Sequence, residues 1–398
     1  MIKNFLPYRN IILACGIVLF LFISPTTAFA LGINQVSTVA QLVLVLLIGS
    51  SIFINGTHFF ERSKYDMYLV FFAFLMMLYM GFRDGVEGMK FVFFFSLFPF
   101  ILSIYLKGLG SNTLKLIRII ILLFFVLECT LAIYERLFLI NLFPYFTDSD
   151  GLYLMEDWAF RSSSFRGHPL SNALTVSIIS GFILLSNELK AKVKLPLLIM
   201  GLFSLFCFNA RGAILIWTLL LIIYFINNFK KGFSSPVTTL VKVVIALPII
   251  GAIIYFLSTS SFGGRIFNSG VIDGSSSTRL DVFDFYKYIS FEDLLLGNKY
   301  NYTYVMNMLG AAGVENSIIV LILKYGLIFA FIAIVFYFIW VKQKLINDSL
   351  WAKFVLIFSF LMVGMTNNSL AGFFPWCLFV ICYYAFPRYQ LPINKVLN

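Results

Sequence analysis

A few charged residues interrupt an otherwise apolar chain, and their types indicate what chemistry it could do. Arg211 lies between two apolar stretches, in the turn 209–212, and Arg279 and Glu315 lie in the longest polar segment, 258–316. The arginine side chain presents a planar fork of donors that fits phosphate oxygens. A carboxylate can take the proton of a hydroxyl group. This set of residues therefore predicts a phosphorylated ligand held beside a general base.

A second polar group lies at the end of the segment 139–168 and contains Arg161, Arg166 and His168. The two arginines are either ligand contacts or members of a solvated loop. His168 is either a base or a hydrogen-bonding residue where the next helix begins. We include all three residues in the candidate site as substrate-binding residues.

The longer segment, 258–316, contributes the remaining candidates. Arg265 and Asn316 join Arg279 as substrate-binding residues. Serine and threonine precede Arg279 and apolar and aromatic residues follow it, which predicts a capped amphipathic helix lying on the membrane surface. For Glu315 a structural role is an alternative, because a carboxylate is favourable at any helix N-terminus.

The composition requires that these residues be positioned by membrane helices. Of the 398 residues 61% are hydrophobic and 12% are charged, with a mean hydropathy of +0.94. These values predict an all-α polytopic membrane protein that forms one integral membrane domain over 1–398. A spanning helix needs about 20 apolar residues. Twelve stretches are predicted to span: 11–31, 36–56, 67–82, 89–106, 117–138, 169–186, 195–209, 212–226, 240–258, 316–341, 354–368 and 372–386.

The distribution of basic residues predicts the orientation. Most of the 29 Lys and Arg residues fall in alternate short loops, which places those loops and both termini in the cytoplasm. The segments 139–168 and 258–316 are then periplasmic loops. The net charge of +11 is explained by this pattern and does not predict nucleic acid as a partner. The first apolar stretch resembles a signal peptide, but we expect it to be a retained span.

Two predictions concern charges inside apolar stretches. Basic flanks on both sides of 195–226 predict a helical hairpin whose turn, 209–212, is sunk below the outer surface with Arg211. An arginine at that depth costs at least about 2.5–3.5 kcal/mol, so it is expected to have a function or a partner. Glu128 and Lys324 lie at similar predicted depths and are expected to form an ion pair.

Several classes of protein are excluded or disfavoured by the sequence. It contains no P-loop, no G-x-G-x-x-G and no G-x-S-x-G motif. The five cysteines lie in apolar stretches without C-x-x-C spacing, and there are two histidines, so neither a disulfide framework nor a metal site is predicted. We expect no cofactor.

Four short motifs in order resemble the superfamily of O-antigen polymerases and O-antigen ligases. They cover roughly 160–330 and read FRGHP at 165–169, ARGA at 210–213, STRL at 277–280 and ENS at 315–317, the last leading into LKYGL. Ligases of the superfamily typically carry histidine-asparagine where this chain has glutamate-asparagine. The resemblance is therefore nearer to the Wzy-type polymerases.

The resemblance implies a GT-C-like glycosyltransferase of the bacterial inner membrane. Its active site would face the periplasm and its reaction would be inverting and independent of metal. Undecaprenyl-diphosphate-linked glycans would serve as donor and acceptor within the lipid bilayer, and a chain-length regulator protein is an implied partner. In this interpretation Glu315 and Arg211 are catalytic.

Two alternatives remain open at this point. An O-antigen ligase would transfer the glycan to an acceptor lipid. A flippase or other transporter for lipid-linked oligosaccharides would also have many spans and buried charges, but it would usually contain internal repeats.

Overall fold

The computed structural model describes residues 6–32, 64–143, 160–231, 255, 282–298, 300–309 and 314–388, with the backbone alone at 6–10, 64–65 and 226–231. Fourteen helices are named here. They are α1 Leu6–Phe22, α2 Pro25–Ala30, α3 Lys64–Asp84, α4 Val86–Lys107, α5 Ser111–Phe138, α6 Pro169–Leu185, α7 Ala191–Cys207, α8 Arg211–Lys231, α9 Phe291–Leu296, α10 Asn301–Leu309, α11 Ser317–Tyr325, α12 Leu327–Lys344, α13 Leu350–Met365 and α14 Phe374–Ala385.

The prediction of an all-α membrane protein is confirmed for the described residues, which form helices and no strand. Four helices, α3, α4, α5 and α12, are long and apolar enough to cross a membrane. Shorter apolar helices of 10–17 residues occur in α1, α6, α8, α13 and α14. The number of twelve spans stays a prediction, since 36–56 and, apart from residue 255, 240–258 lie outside the described residues.

Two helices, α6 and α14, form the centre of the bundle. Nearly every side chain of both is buried, and Phe182 of α6 meets Phe379 of α14 edge to face at a centroid distance of 5.5 Å. A helix that is apolar all round is buried all round. Helices α4, α5, α7, α8 and α13 pack against this pair.

The predicted first span, 11–31, is wrong at its end, because α1 stops at Phe22. Ser24 and Thr27 form a capping box, in which the Ser24 hydroxyl accepts from the amide of Thr27 and the Thr27 hydroxyl accepts from the amide of Ser24. Pro25 occupies the first turn, where its missing N–H costs nothing. These three residues start the separate short helix α2.

The predicted span 316–341 is divided into α11 and α12 at Gly326. This glycine has φ +87° and ψ 160°, which no helix contains. Arg83 donates to the carbonyl oxygens of Tyr325 at 2.9 Å and Lys324 at 3.1 Å. It therefore satisfies carbonyl groups that the end of α11 leaves without intrahelical partners.

The predicted amphipathic helix after Arg279 is shorter than expected in the part that the structure describes. A short 3₁₀ helix spans Val282–Lys287, and the chain then turns before α9. Ser290 begins α9 by accepting a hydrogen bond from the amide of Asp293 at 3.1 Å. The apolar pattern alone did not reveal the short length of this helix or the separate start of α9.

Ion pairs join several helix ends on one side of the bundle, and we call this side the ion-pair end. The pairs are Lys344–Asp66, Arg118–Glu188 and Arg388–Asp348. Such pairs fix which helix ends are neighbours more than they add stability. All three lie in segments that the sequence places in the cytoplasm, and that sidedness remains a prediction.

Gly326→Ala is expected to lower the free energy of unfolding by about 2 kcal/mol or more, since a side chain at positive φ is strained. In addition, its Cβ would lie 2.4 Å from the carbonyl carbon of Leu296. The control is Gly110→Ala, where φ is −71° and nothing lies within 4 Å of the added Cβ. Thermal unfolding in detergent measures both, and equal midpoints for the two variants would contradict the described break.

Candidate active site

A loop of buried polar residues, 160–168, leads into α6 and is held by a carboxylate of α5. Glu135 accepts hydrogen bonds through Oε2 from the amides of Ser163 and Ser164, each at 2.9 Å, and through Oε1 from the amide of Leu142 at 2.9 Å. Buried backbone N–H groups need an acceptor, and both oxygens of this one carboxyl group serve as acceptors. This one side chain therefore fixes the course of the loop.

Further contacts tie the same loop to its neighbours. Arg136 donates to the carbonyl of Phe160 at 2.8 Å, and the Ser162 hydroxyl donates to the carbonyl of Ala132 at 2.8 Å. The amide of Ser162 donates to the carbonyl of Cys207, at the end of α7, at 3.0 Å. The loop is thus part of the packed interior, and the alternative of a solvated loop, which the sequence left open, is wrong.

Helix α2 closes the loop from another side. The Ser24 hydroxyl donates to the carbonyl of Phe165 at 2.6 Å. Gly167 has φ +68°, and a Cβ there would lie 2.2 Å from the hydroxyl oxygen of Thr26. Glycine is therefore required in the FRGHP motif both for its backbone conformation and for the close approach of α2.

The predicted turn between α7 and α8 is confirmed, and it places Arg211 at the first residue of α8. Asn209 has φ +54°. Its amide donates to the carbonyl of Phe206, and the amide of Ala210 donates to that of Leu205, which is the Schellman ending of a helix. The turn is therefore specified by local hydrogen bonds.

Arg161 and Arg211 meet at one small cavity of about 20 Å³, roughly the space of a single water molecule. Its other lining residues are Leu170, Asn209, Ala210, Gly212 and Thr366. We call these seven residues the arginine cavity. A Cβ on Gly212 would lie 2.7 Å from a methyl carbon of Thr366, so the glycine allows α13 to approach.

His168 and Glu315 belong to the same neighbourhood. Burial lowers the pKa of His168 to about 4, the charge of Arg161 lowers it further, and the charge of Glu315 raises it. His168 is therefore uncharged at neutral pH and is a weak base. The structure thus brings together four predicted site residues, Arg161, His168, Arg211 and Glu315, from four separate parts of the sequence.

The structure gives Asn316 the role of helix cap. Its side-chain oxygen accepts from the amides of Ile318 at 3.0 Å and Ile319 at 3.2 Å. Glu315 precedes this cap and lies outside α11. The capping role considered for Glu315 therefore falls to Asn316, and the Glu315 carboxylate is not needed to start the helix.

The turn 366–372 joins α11 to the site. The Ser317 hydroxyl donates to the carbonyl of Asn367 at 2.8 Å and accepts from the amide of Leu370 at 3.1 Å. The hydroxyls of Ser171 and Ser369 are 3.2 Å apart, which connects the same turn to α6. Helices α6, α8, α11 and α13 therefore present their ends to one polar region.

Arg166 is placed elsewhere and does not line the arginine cavity. Its guanidinium lies 3.5 Å from the ring centroid of Phe374. Burial lowers its pKa to about 10 and the charge of Glu128 raises it, so Arg166 stays charged at neutral pH. This arginine packs in the interior beside a buried carboxylate.

The predicted ion pair between Glu128 and Lys324 is wrong. Glu128 accepts from the amide of Phe165 at 3.4 Å and faces Arg166. The Lys324 ammonium lies 4.7 Å from the ring centroid of Tyr302. Similar predicted depth did not indicate proximity of Glu128 and Lys324. The helix α11 ends at Gly326, so Lys324 does not lie in a continuous span.

Arg265 and Arg279 lie outside the described residues, and their contribution to the site stays a prediction. Sequence reasoning also missed residues of the site. Glu135, which holds the loop, was not singled out because a glutamate near the end of a long helix is common at a membrane interface. Thr366 and Asn367 could have been recognised in the sequence, because they form a polar turn between two apolar stretches.

No protein-family model matches the chain, and no curated protein has a significant match to it. The function must therefore be inferred from the geometry of these residues.

His168→Gln is expected to make stability less sensitive to acid. The unfolded chain has the ordinary histidine pKa of about 6.5, above the value of about 4 in the folded protein. The unfolded state thus binds more protons between these values. The contribution of His168 is complete above pH 6.5 and is lost as the pH falls toward 4. Thermal unfolding midpoints from pH 7 to pH 4 measure the difference between variant and wild type.

An unchanged dependence in His168→Gln would contradict the buried, uncharged state of His168.

Glu135→Ala is expected to loosen the loop 160–168 at a cost of about 2–5 kcal/mol, because the amides of Ser164 and Leu142 lose an acceptor and that of Ser163 keeps only Asn141. Hydrogen exchange should become faster at the amides of Ser163 and Ser164. Glu292, an exposed carboxylate of α9, provides the control Glu292→Ala, for which no change is expected at these amides. Equal exchange in both variants would show that Glu135 does not hold the loop.

Proposed function

We propose that the protein is a membrane glycosyltransferase that polymerises undecaprenyl-diphosphate-linked glycan repeat units at the periplasmic face of the bacterial inner membrane. The observation that carries the proposal is the convergence of Arg161, His168, Arg211 and Glu315. Two cations and a carboxylate at the ends of apolar helices suit a substrate with a charged diphosphate and a lipid tail.

The electrostatics of α8 support the role of Arg211 as a phosphate ligand. A helix N-terminus carries about half a positive charge, so a cation in its first turn is unfavourable by roughly 0.3–1 kcal/mol. Arg211 occupies that position, and Arg161 lines the same cavity. Such an accumulation of positive charge opposes stability, whereas it favours an anion. A diphosphate leaving group would be stabilised there as its negative charge develops.

The position of Glu315 supports its role as general base. The acceptor hydroxyl would lose its proton to the carboxylate while its oxygen attacks the anomeric carbon of the donor. The bond between that carbon and the diphosphate oxygen breaks, and the diphosphate leaves with the electron pair. Inversion follows from attack opposite the leaving group. Neutral His168 could orient the hydroxyl, and its low pKa makes it the poorer base.

The test is chain growth from purified lipid-linked repeat units by the purified protein. Glu315→Gln is expected to slow polymerisation by about 10²–10⁴-fold, the usual worth of a general base. Arg211→Lys is expected to fail as well, because lysine keeps the charge and loses the two-pronged contact. Growth by the wild-type protein should continue in the presence of a chelator.

The control Glu292→Gln changes an exposed carboxylate and should leave chain growth unchanged. Near-normal growth by Glu315→Gln would eliminate it as the base and direct attention to His168. Inhibition by the chelator that a divalent cation reverses would overturn the metal-independent reaction. Transfer of single units to another lipid without chain growth would indicate a ligase.

A further inference from the structure

A second and larger cavity, of about 250 Å³, lies where α4, α11 and the end of the turn 366–372 meet. Its walls are mainly aromatic, with one cationic side chain. The residues that matter are Phe91, Phe94, Phe95, Phe373, Tyr325 and Lys324. We call it the aromatic cavity. A concave site with apolar walls and a few convergent polar groups is the usual form of a ligand-binding site.

The rings of the aromatic cavity are held in place by one another. Phe91 stacks on Tyr325 at a centroid distance of 3.9 Å, and Phe91 and Phe95 stack at 5.0 Å. On the opposite wall, Phe94 and Phe373 lie 5.6 Å apart. Rigid ring faces of this kind bind flat, apolar surfaces with little loss of entropy. The C–H face of a sugar ring is such a surface.

Lys324 supplies the polar group, and its charge is not neutralised by the part of the chain that the structure describes. Its ammonium lies 4.7 Å from the ring centroid of Tyr302, and no carboxylate in the described ranges forms an ion pair with it. The charges of Asp84 and Glu87 are felt by the neighbouring Tyr325. Asp84 is paired with Arg83, and Glu87 is exposed. A half-buried ammonium without a carboxylate suits an anion that comes from outside the protein.

The aromatic cavity and the proposed site are connected by short segments of the chain. Lys324 lies seven residues after Ser317, which is about 10 Å along α11 at 1.5 Å per residue. The turn 366–372 contributes Thr366 to the arginine cavity and Gly372 to the aromatic cavity. A glycan bound at Glu315 could therefore extend its neighbouring sugar into the aromatic cavity.

We propose that the aromatic cavity binds an acidic sugar, with the ring on the aromatic walls and the carboxylate on the Lys324 ammonium. The inference rests on the proposed function, since it names the class of glycan that the site takes. A repeat unit that contains a uronic acid or a similar carboxylated sugar is then the substrate. The phosphate of a phospholipid carries the same kind of charge, but its flexible chains do not require a cavity built of stacked rings.

The experiment measures binding, which does not depend on polymerisation. Purified protein in nanodiscs of neutral phospholipid is titrated with a short oligosaccharide that contains one glucuronic acid, and with the same oligosaccharide methylated at the carboxyl group. The methyl ester is expected to bind at least about tenfold more weakly, because a hydrogen bond to a charged group is worth about 1.5–3 kcal/mol. Lys324→Met should produce the same loss, and Lys324→Arg should restore most of the affinity.

The control is Lys194→Met, which removes another half-buried lysine, one that donates to the carbonyl of Leu184. It should bind the acid as the wild-type protein does. Equal affinity for acid and ester, or an undiminished affinity in Lys324→Met, would overturn the proposal. So would binding of phosphatidylglycerol together with no binding of the oligosaccharide. Binding that persists in an Arg211→Lys variant without polymerisation would separate this inference from the proposed reaction.

Discussion

The geometry of the site depends on one carboxylate, Glu135, which collects the backbone amides of the loop before α6. Buried N–H groups must find acceptors or stability is lost, and this single carboxyl group accepts from two amides of the loop and from that of Leu142. Because Glu135 belongs to the long helix α5, its hydrogen bonds attach the loop to a rigid element. The positions of Arg161 and His168 follow from it.

The site itself is built from helix ends. Arg211 begins α8, Glu315 precedes the cap of α11, and Thr366 follows α13. Chain ends and turns are the places in an apolar bundle where polar side chains cost least. The short helix α11 separates Glu315 from Lys324 of the aromatic cavity. The charged residues of the site and the aromatic walls therefore occupy adjacent regions. Glycines at 167 and 212 allow the helices that carry these groups to approach closely.

The sequence predicted the helices well where their boundaries are marked by charge or by proline. Pro169 begins α6 and Arg211 begins α8, as their positions suggested. Four candidate site residues also came together as expected, because each is a costly polar group that needs polar neighbours. Hydropathy failed at Gly326 and at Ser24, since an apolar average over twenty residues does not register one capping residue or one glycine.

The ion pair between Glu128 and Lys324 failed for a related reason. The expected position of Lys324 assumes one continuous helix over 316–341. The break at Gly326 removes that assumption, so equal depth in the sequence does not mean proximity in the structure. The buried loop at 160–168 could not be recognised from its serines and arginines, which are equally common in solvated loops. Its burial is a tertiary effect that arises when α2, α5 and α7 close around it.

The break at Gly326 has a consequence for how the sequence can vary. The carbonyl groups exposed by the break are satisfied by Arg83, on a helix far away in the chain. A residue that restored a continuous helix at 326 would remove the acceptors that Lys324 and Tyr325 offer to Arg83, and loss of Arg83 would leave these two carbonyl groups without that donor. Positions 83 and 326 are therefore coupled. Variants of this chain should keep both Arg83 and Gly326 or change both together.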